Sequence, residues 1–173
     1  MLSKTLEDAL NQQINSEVHA AFVYLSMSAY FESIDLLGFA KRMRAQYEEE
    51  LGHATKIFDF INDRNGRVML KAVGQPPVDF SSPLDVMEQA LKHEQEVTAL
   101  INRLYELARQ ENDYPAQVML QWFINEQVEE EKAADHIVQQ IKLIGTDGTG
   151  LLILDERFGS HASQADAPAT ETA

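Results

Sequence analysis

Hydrophobic residues recur at three- and four-residue intervals through four long stretches of the chain, none of them interrupted by an internal proline. That spacing lines up apolar side chains on one face of an α-helix, whereas a strand would alternate with a period of two. The first stretch runs from about Lys4 to Glu32, with the stripe Leu6, Leu10, Ile14, Glu17, Ala21, Tyr24, Ser28 and Phe31. The second runs from about Leu36 to Asp63, through Phe39, Met43, Tyr47, Glu50, His53, Ala54, Ile57 and Phe60. Asn65-Gly66, a pair tolerant of positive φ, ends it. The third opens at Ser82-Pro83, an N-cap followed by proline in the first helical position, and carries Met87, Ala90, Leu91, Glu94, Val97, Ile101, Leu104 and Ala108. The fourth opens near Asp113-Tyr114-Pro115 and carries Met119, Trp122, Phe123, Glu126, Glu130, Ala133, Ile137 and Ile141.

The connections predict the topology. Short links make the first and second helices antiparallel neighbours, and likewise the third and fourth. The segment from Arg67 to Ser82, with Pro76-Pro77 inside it, can span a helix of about 45 Å at roughly 3.3 Å per residue. The expectation is an all-α four-helix bundle with one long crossover. Beyond Gly145, Leu151 to Phe158 reads as about two further helical turns. Packing on its own subunit and lining a subunit contact are equally open for Leu151 to Leu154. Gly159 to Ala173, rich in Ala, Ser and Thr, reads as a disordered tail, which leaves one domain over residues 1–158.

Composition narrows the function. A 173-residue chain that is 45% hydrophobic can fill one core. The absence of cysteine excludes disulfides, thiolate metal sites, iron–sulfur clusters and thiol catalysis. The N-terminus does not read as a signal peptide and no stretch is apolar enough to span a membrane, so a soluble cytoplasmic protein is expected. A formal charge of −14 disfavours nucleic acid as a partner and favours metal cations, but what decides is where the carboxylates fall.

Each apolar stripe is interrupted by a glutamate near its middle: Glu17, Glu50, Glu94 and Glu130. Burying one ionised carboxylate costs several kcal/mol, and four at one height repel one another besides. A multivalent cation removes both penalties. His53 follows Glu50 by one helical turn, and Glu-x-x-His presents an oxygen and an imidazole nitrogen to one metal, as in di-iron carboxylate bundles. The same 33-residue step separates Glu17 from Glu50 and Glu94 from Gln127, so Glu50-x-x-His53 corresponds to Gln127-x-x-Glu130. This asymmetry predicts one well-ligated iron at Glu17, Glu50 and His53. A weaker, more open one would use Glu94 and Glu130, with Glu50 bridging and Gln127 nearby. Tyr24 lies on the same face as Glu17, where it can hydrogen-bond a ligand or supply an electron. Glu126, Glu129 and Glu130 fall at i, i+3 and i+4, and with Glu49 they form the acidic patch a third metal position needs.

The segments Glu17-Val18-His19-Ala20-Ala21-Phe22-Val23-Tyr24, Glu49-Glu50-Leu51-Gly52-His53, Glu94 and Trp122-Phe123-Ile124-Asn125-Glu126-Gln127-Val128-Glu129-Glu130-Glu131 together resemble the bacterial non-haem ferritins, over about Met1 to Phe158. The resemblance implies the ferritin-like four-helix bundle with a short C-terminal fifth helix, assembled as a hollow 24-subunit shell. It implies iron storage: Fe(II) oxidation by dioxygen or peroxide, with ferric mineral inside. By the same likeness, Glu17, Glu50, His53, Glu94, Gln127 and Glu130 hold the paired ferroxidase irons, Glu49, Glu126, Glu129 and Glu130 a possible third, and Tyr24 stands beside the centre. Bacterioferritins carry a haem-ligating methionine where this chain has Gly52, so no haem is expected; they also have histidine where Glu130 stands. Rubrerythrins add a cysteine-ligated iron that this chain cannot build. The acidic channel of animal ferritins matches Gln117 and Leu120 here, so that entry route is not carried over.

Blander readings exist for each residue. A single glutamate on a helix stripe is usually half exposed or ion-paired, but four together with His53 are poorly explained that way. Tyr24 reads equally as packing or as a redox and hydrogen-bonding group, and Glu126 and Glu129 equally as ligands or as a solvated face. Trp122 reads as packing, with electron donation the lesser option, and His19, His93 and His136 as surface or packing residues. Two other functions fit a helical bundle with this pattern: a di-iron oxidase or oxygenase acting on an organic substrate, and a metal-free interaction module.

Overall fold

Side-chain caps and left-handed turn residues set the helix limits. The computed structural model describes residues 2–165, with side chains as far as residue 160. Its helices are α1 (Lys4–Ser33), α2 (Leu37–Asp63), α3 (Pro83–Gln110), α4 (Tyr114–Ile144) and α5 (Gly148–Ala165), with no strand among the described residues. Ser3, Ser82 and Asp113 each accept a hydrogen bond at 3.1 Å from a backbone N–H in the first turn of α1, α3 and α4. Asp35, Asn65 and Asn112 close the helix ends with φ of 60°, 56° and 56°, residue types that tolerate that conformation. Gly66 serves space rather than φ, since an added Cβ would come within 2.9 Å of both Glu7 Oε2 and Ile61 Cγ2.

The four long helices pack around two apolar clusters at opposite ends of the bundle. One joins Leu6, Leu10 and Ile14 of α1 to the C-terminal half of α2, the C-terminal half of α3 and the N-terminal half of α4. The other joins the remaining halves, including Met27, Phe31, Phe39, Met87 and Ile137. This pairing makes α1 antiparallel to α2, and α3 antiparallel to α4. Because α2 and α3 run parallel, the chain between them must return along the whole bundle. The return segment is held along α1: Asn11 bonds Arg67 O at 3.0 Å and Met69 N at 2.6 Å, and Ser26 donates to Pro77 O at 2.5 Å. Arg64 anchors its start through a two-pronged pair with Asp113 at 2.8 Å.

α5 divides its apolar residues between the two readings. Leu151, Leu154 and Phe158 recur at helical spacing and pack on the second cluster, while Leu152 and Ile153 stay exposed. The helix also continues to Ala165, beyond the two turns expected and into the segment read as a tail, because no proline or β-branched residue interrupts Ser160 to Ala165. Residues 166–173 of that segment lie outside the described residues.

α5 is fastened to α2 at a glycine. α2 has no side-chain cap of its own; Asp155 of α5 supplies one, accepting from Phe39 N at 2.8 Å. The approach is close enough that a Cβ on Gly38 would stand 1.8 Å from Asp155 O. Backbone cannot yield as a side-chain tip can, so Gly38→Ala should displace α5 and lower stability by about 1–3 kcal/mol. Thermal melting should register that loss, and limited proteolysis should show earlier cleavage within α5.

Candidate metal centre

A layer of polar side chains separates the two apolar clusters. Glu17, Glu50 and Glu94 are 0%, 1% and 0% exposed, and His53 and Gln127 join them below 5%. One correction concerns α4. Its buried face runs through Ala116, Leu120, Phe123, Gln127, Ala134, Ile137 and Ile141, so Gln127 occupies the central position and Glu130 stands half-buried at the edge. The expected stripe through Glu126, Glu130 and Ala133 is therefore rotated from the observed one. Both Glu126 and Gln127 lie about one turn beyond Phe123, and packing against the other helices buries Gln127.

Ligand atoms of Glu17, Glu50 and His53 all lie within 4.8 Å of one another. His53 Nδ1 is 3.2 Å from Glu50 Oε2, and Gln13 Nε2 donates to Glu17 Oε1 at 2.9 Å. Glu17 Oε2, fully buried, accepts from no donor, and the Glu17 and Glu50 carboxyls can share one proton between them. Two carboxylates and an imidazole brought together out of reach of water form a group that could hold a cation. Toward the other side of the layer, the Tyr24 hydroxyl donates to Glu94 Oε1, and Gln127 Nε2 donates to Glu94 Oε2 at 3.1 Å. Gln46 Nε2 reaches from α2 to Glu130 Oε2 at 3.0 Å.

Burial and mutual repulsion oppose ionisation of Glu17, Glu50 and Glu130. The Glu17 carboxyl is pushed up to about 8, first by desolvation and then by the Glu50 charge. Glu50 lies well above the usual carboxylate range for the same first reason, with Glu94 adding to it. Glu130 rises to about 7 through desolvation and then the charges of Glu49 and Glu94. Desolvation, followed by the Glu94 charge, also holds the Tyr24 hydroxyl well above its ordinary value.

The sequence-predicted residues thus divide by position. Glu17, Glu50 and His53 converge at ligand distance. Glu94, Gln127 and Tyr24 form a hydrogen-bonded set beside them, and Glu130 joins through Gln46 and through the field it shares with Glu50 and Glu94. Glu49 and Glu126 form a second group within 4.8 Å, with His53 as its third member, so the imidazole serves two clusters rather than one. Glu129 belongs to neither, but with Glu49, Glu126 and Glu130 it lines an open groove of about 620 Å³, predominantly acidic, whose walls also include Arg42, Lys132 and His136. Trp122 is partly exposed; its ring meets His53 at 5.5 Å and lies under Lys56 Nζ at 4.2 Å. His93 packs edge-on against Tyr24 at 6.2 Å. Sequence reasoning missed Gln13 and Gln46, although Gln13 lies one turn from Glu17 and was findable by that spacing.

Known proteins resemble this chain in sequence and in fold. Residues 7–144 match the family described as the ferritin-like domain. The chain is 41% identical over 161 residues to the bacterial non-heme ferritin of Staphylococcus aureus strain NCTC 8325 / PS 47, covering 93% of this chain and 97% of that one. It is 42% identical over 156 residues to the protein of the same name from Campylobacter jejuni, covering 90% and 93%. Among solved structures, an open pore ferritin from the hyperthermophilic archaeon Archaeoglobus fulgidus superposes with a TM-score of 0.90 at 48% identity, covering 91% of this chain and 98% of that one. This chain belongs to the ferritin family.

The raised carboxyls have a consequence for stability. Without metal, Glu17 binds its proton more tightly folded than unfolded, between 4.5 and about 8, and Glu50 and Glu130 shift the same way. The folded form then holds more protons than the unfolded form across that window, so stability falls as pH rises, by up to about 1.4 kcal/mol per pH unit for each such carboxyl. The melting temperature of metal-free protein should decline from about pH 5 to about pH 8. Added Zn(II) should remove most of the slope by compensating the charge, and Glu17→Gln should make it shallower without metal while the Glu50 and Glu130 contributions remain.

Proposed function

We propose that this chain stores iron, taking Fe(II) into the bundle, oxidising it there and passing ferric product to the interior of a 24-subunit shell. The observation that carries this reading is the buried Glu17–Glu50–His53 group. One Fe(II) binds to Glu17, Glu50 and His53. A second binds to Glu94 and Glu130, with Glu50 shared between them and Gln127 alongside, and a third, weaker position uses Glu49, Glu126, Glu129 and Glu130 in the acidic groove.

The ligand set is hard oxygen with a single imidazole, which favours Fe(III) over Fe(II) and so makes oxidation downhill. Each of the two irons gives up one electron. Dioxygen accepts both and leaves with two protons as hydrogen peroxide; alternatively, peroxide accepts both and leaves with two protons as two waters. Binding displaces protons held by Glu17, Glu50 and Glu130, and these are available to the reduced oxygen. Tyr24, donating to Glu94, fixes that carboxylate and is the electron donor in this scheme.

The groove lined by Glu126, Glu129 and Glu130 gives the product an acidic path away from the centre. Its four glutamates outnumber Arg42 and Lys132, so the lining suits cations, and with family membership it speaks for storage over oxidation of an organic substrate. Exposed apolar residues at Phe58, Leu70, Leu143 and Leu152 are surfaces that self-assembly would cover. No described helix is long and apolar enough to cross a membrane, and cytoplasmic residence is part of this proposal.

Stopped-flow absorbance after mixing Fe(II) with oxygen should show a fast phase that Glu50→Ala or His53→Ala abolishes. An unchanged phase in both variants would rule the centre out as the site of oxidation.

A further inference from the structure

The acidic groove is lined by α2 and α4. Between the other two long helices, α1 and α3, lies a pocket of about 330 Å³ with Pro77 of the crossover in its wall. Its lining carries two imidazoles, His19 from α1 and His93 from α3, with Glu96 beside them. None of the three belongs to the centre described above. His93 and Glu96 stand one helical turn apart on α3, the spacing that brings Glu50 and His53 together on α2.

A neutral imidazole offers one donor and one acceptor, and when buried it is ordinarily hydrogen-bonded. His93 Nε2 is buried with no partner, and no described residue hydrogen-bonds to either ring. The charged groups that bear on His93 are Glu94, Glu96 and His19, so the second imidazole and the carboxylate stand close enough to act on it. Tyr24 packs edge-on against His93 at 6.2 Å and holds that ring in place. Glu96 is tied only to Lys92, at 3.8 Å, with both side chains more than half exposed. An exposed pair of that kind contributes little and yields to a dication.

We propose that His19, His93 and Glu96 form a separate site for a divalent transition-metal ion in the α1–α3 pocket. Two imidazole nitrogens and a carboxylate oxygen suit Zn(II) or Fe(II), whereas Mg(II) and Ca(II) take oxygen ligands. The ligand atoms of the three are not all within 4.8 Å of one another as they stand. His93 is the fixed member, and rotation of the His19 and Glu96 side chains closes the set on it. The site shares no residue with the iron positions given under Proposed function, so it stands or falls apart from them.

Zn(II) is the probe. Calorimetric titration of the intact protein should count one more Zn(II) per chain than the same titration of His19→Leu, with the other sites unchanged. Glu96→Gln should weaken that step and no other. Crystals soaked in Zn(II) and measured at the zinc absorption edge should show an anomalous peak between His19 and His93, apart from any at the Glu17–Glu50–His53 group. An equal count in the unaltered protein and in folded His19→Leu would overturn the inference, even if a soak at high concentration gave a peak. So would a pocket without a peak in the unaltered protein. A peak in the pocket alone, with none at Glu17, Glu50 and His53, would count against the proposed centre and leave this site standing. Should His19→Leu not fold, His19→Phe carries the same expectation.

Discussion

Like charges in a desolvated interior repel, and this fold places Glu17, Glu50 and Glu94 in one layer with almost no exposure. Water cannot screen them, and the neighbouring hydrogen bonds satisfy only part of their oxygens: Gln13 serves Glu17, while Tyr24 and Gln127 serve Glu94. Protonation relieves the repulsion when metal is absent, which is why burial pushes Glu17 up to about 8. A cation relieves it better, because one ion answers several carboxylates at once. The apolar clusters on either side bear the cost. They supply the packing that lets the polar layer exist, and they keep the helices from moving apart to admit water.

The same layer explains why the bundle has unequal sides. On the α1–α2 side, two carboxylates and an imidazole converge at ligand distance. On the α3–α4 side, an amide stands where the internal repeat would place a carboxylate, and Glu130 sits at the rim of the acidic groove. Under the proposed function, three converging ligands on one side and a looser set opening on the groove on the other would let ions pass through. His53 reinforces this, since it belongs both to the buried cluster and to the group with Glu49 and Glu126.

Much of this was legible from residue order, for definite reasons. The caps at Ser3, Ser82 and Asp113 and the turn residues Asn65 and Asn112 act within a few positions of themselves, so the limits of the long helices could be read locally. Glu17, Glu50 and Glu94 stood out because each interrupts a clear apolar stripe. α4 was less legible. Its middle, from Met119 to Ala133, offers two plausible stripes one residue apart, and only packing against the other helices selects the one through Gln127. Contacts between residues distant in the chain left no local signal. The Asp155 cap on α2, the Gln46 bond to Glu130 and the Thr98 bond to Glu131 all depend on how helices meet. The extent of α5 was underread because alanine and serine suit both a helix and a tail.

The account stands or falls on whether iron enters the bundle at that layer. Crystals soaked anaerobically in Fe(II) and measured at the iron absorption edge report the position of every ordered iron directly. The strongest anomalous peak should lie among Glu17, Glu50 and His53, with a weaker one between Glu94 and Glu130. Iron confined to surface carboxylates, with the layer left without a peak, would contradict it.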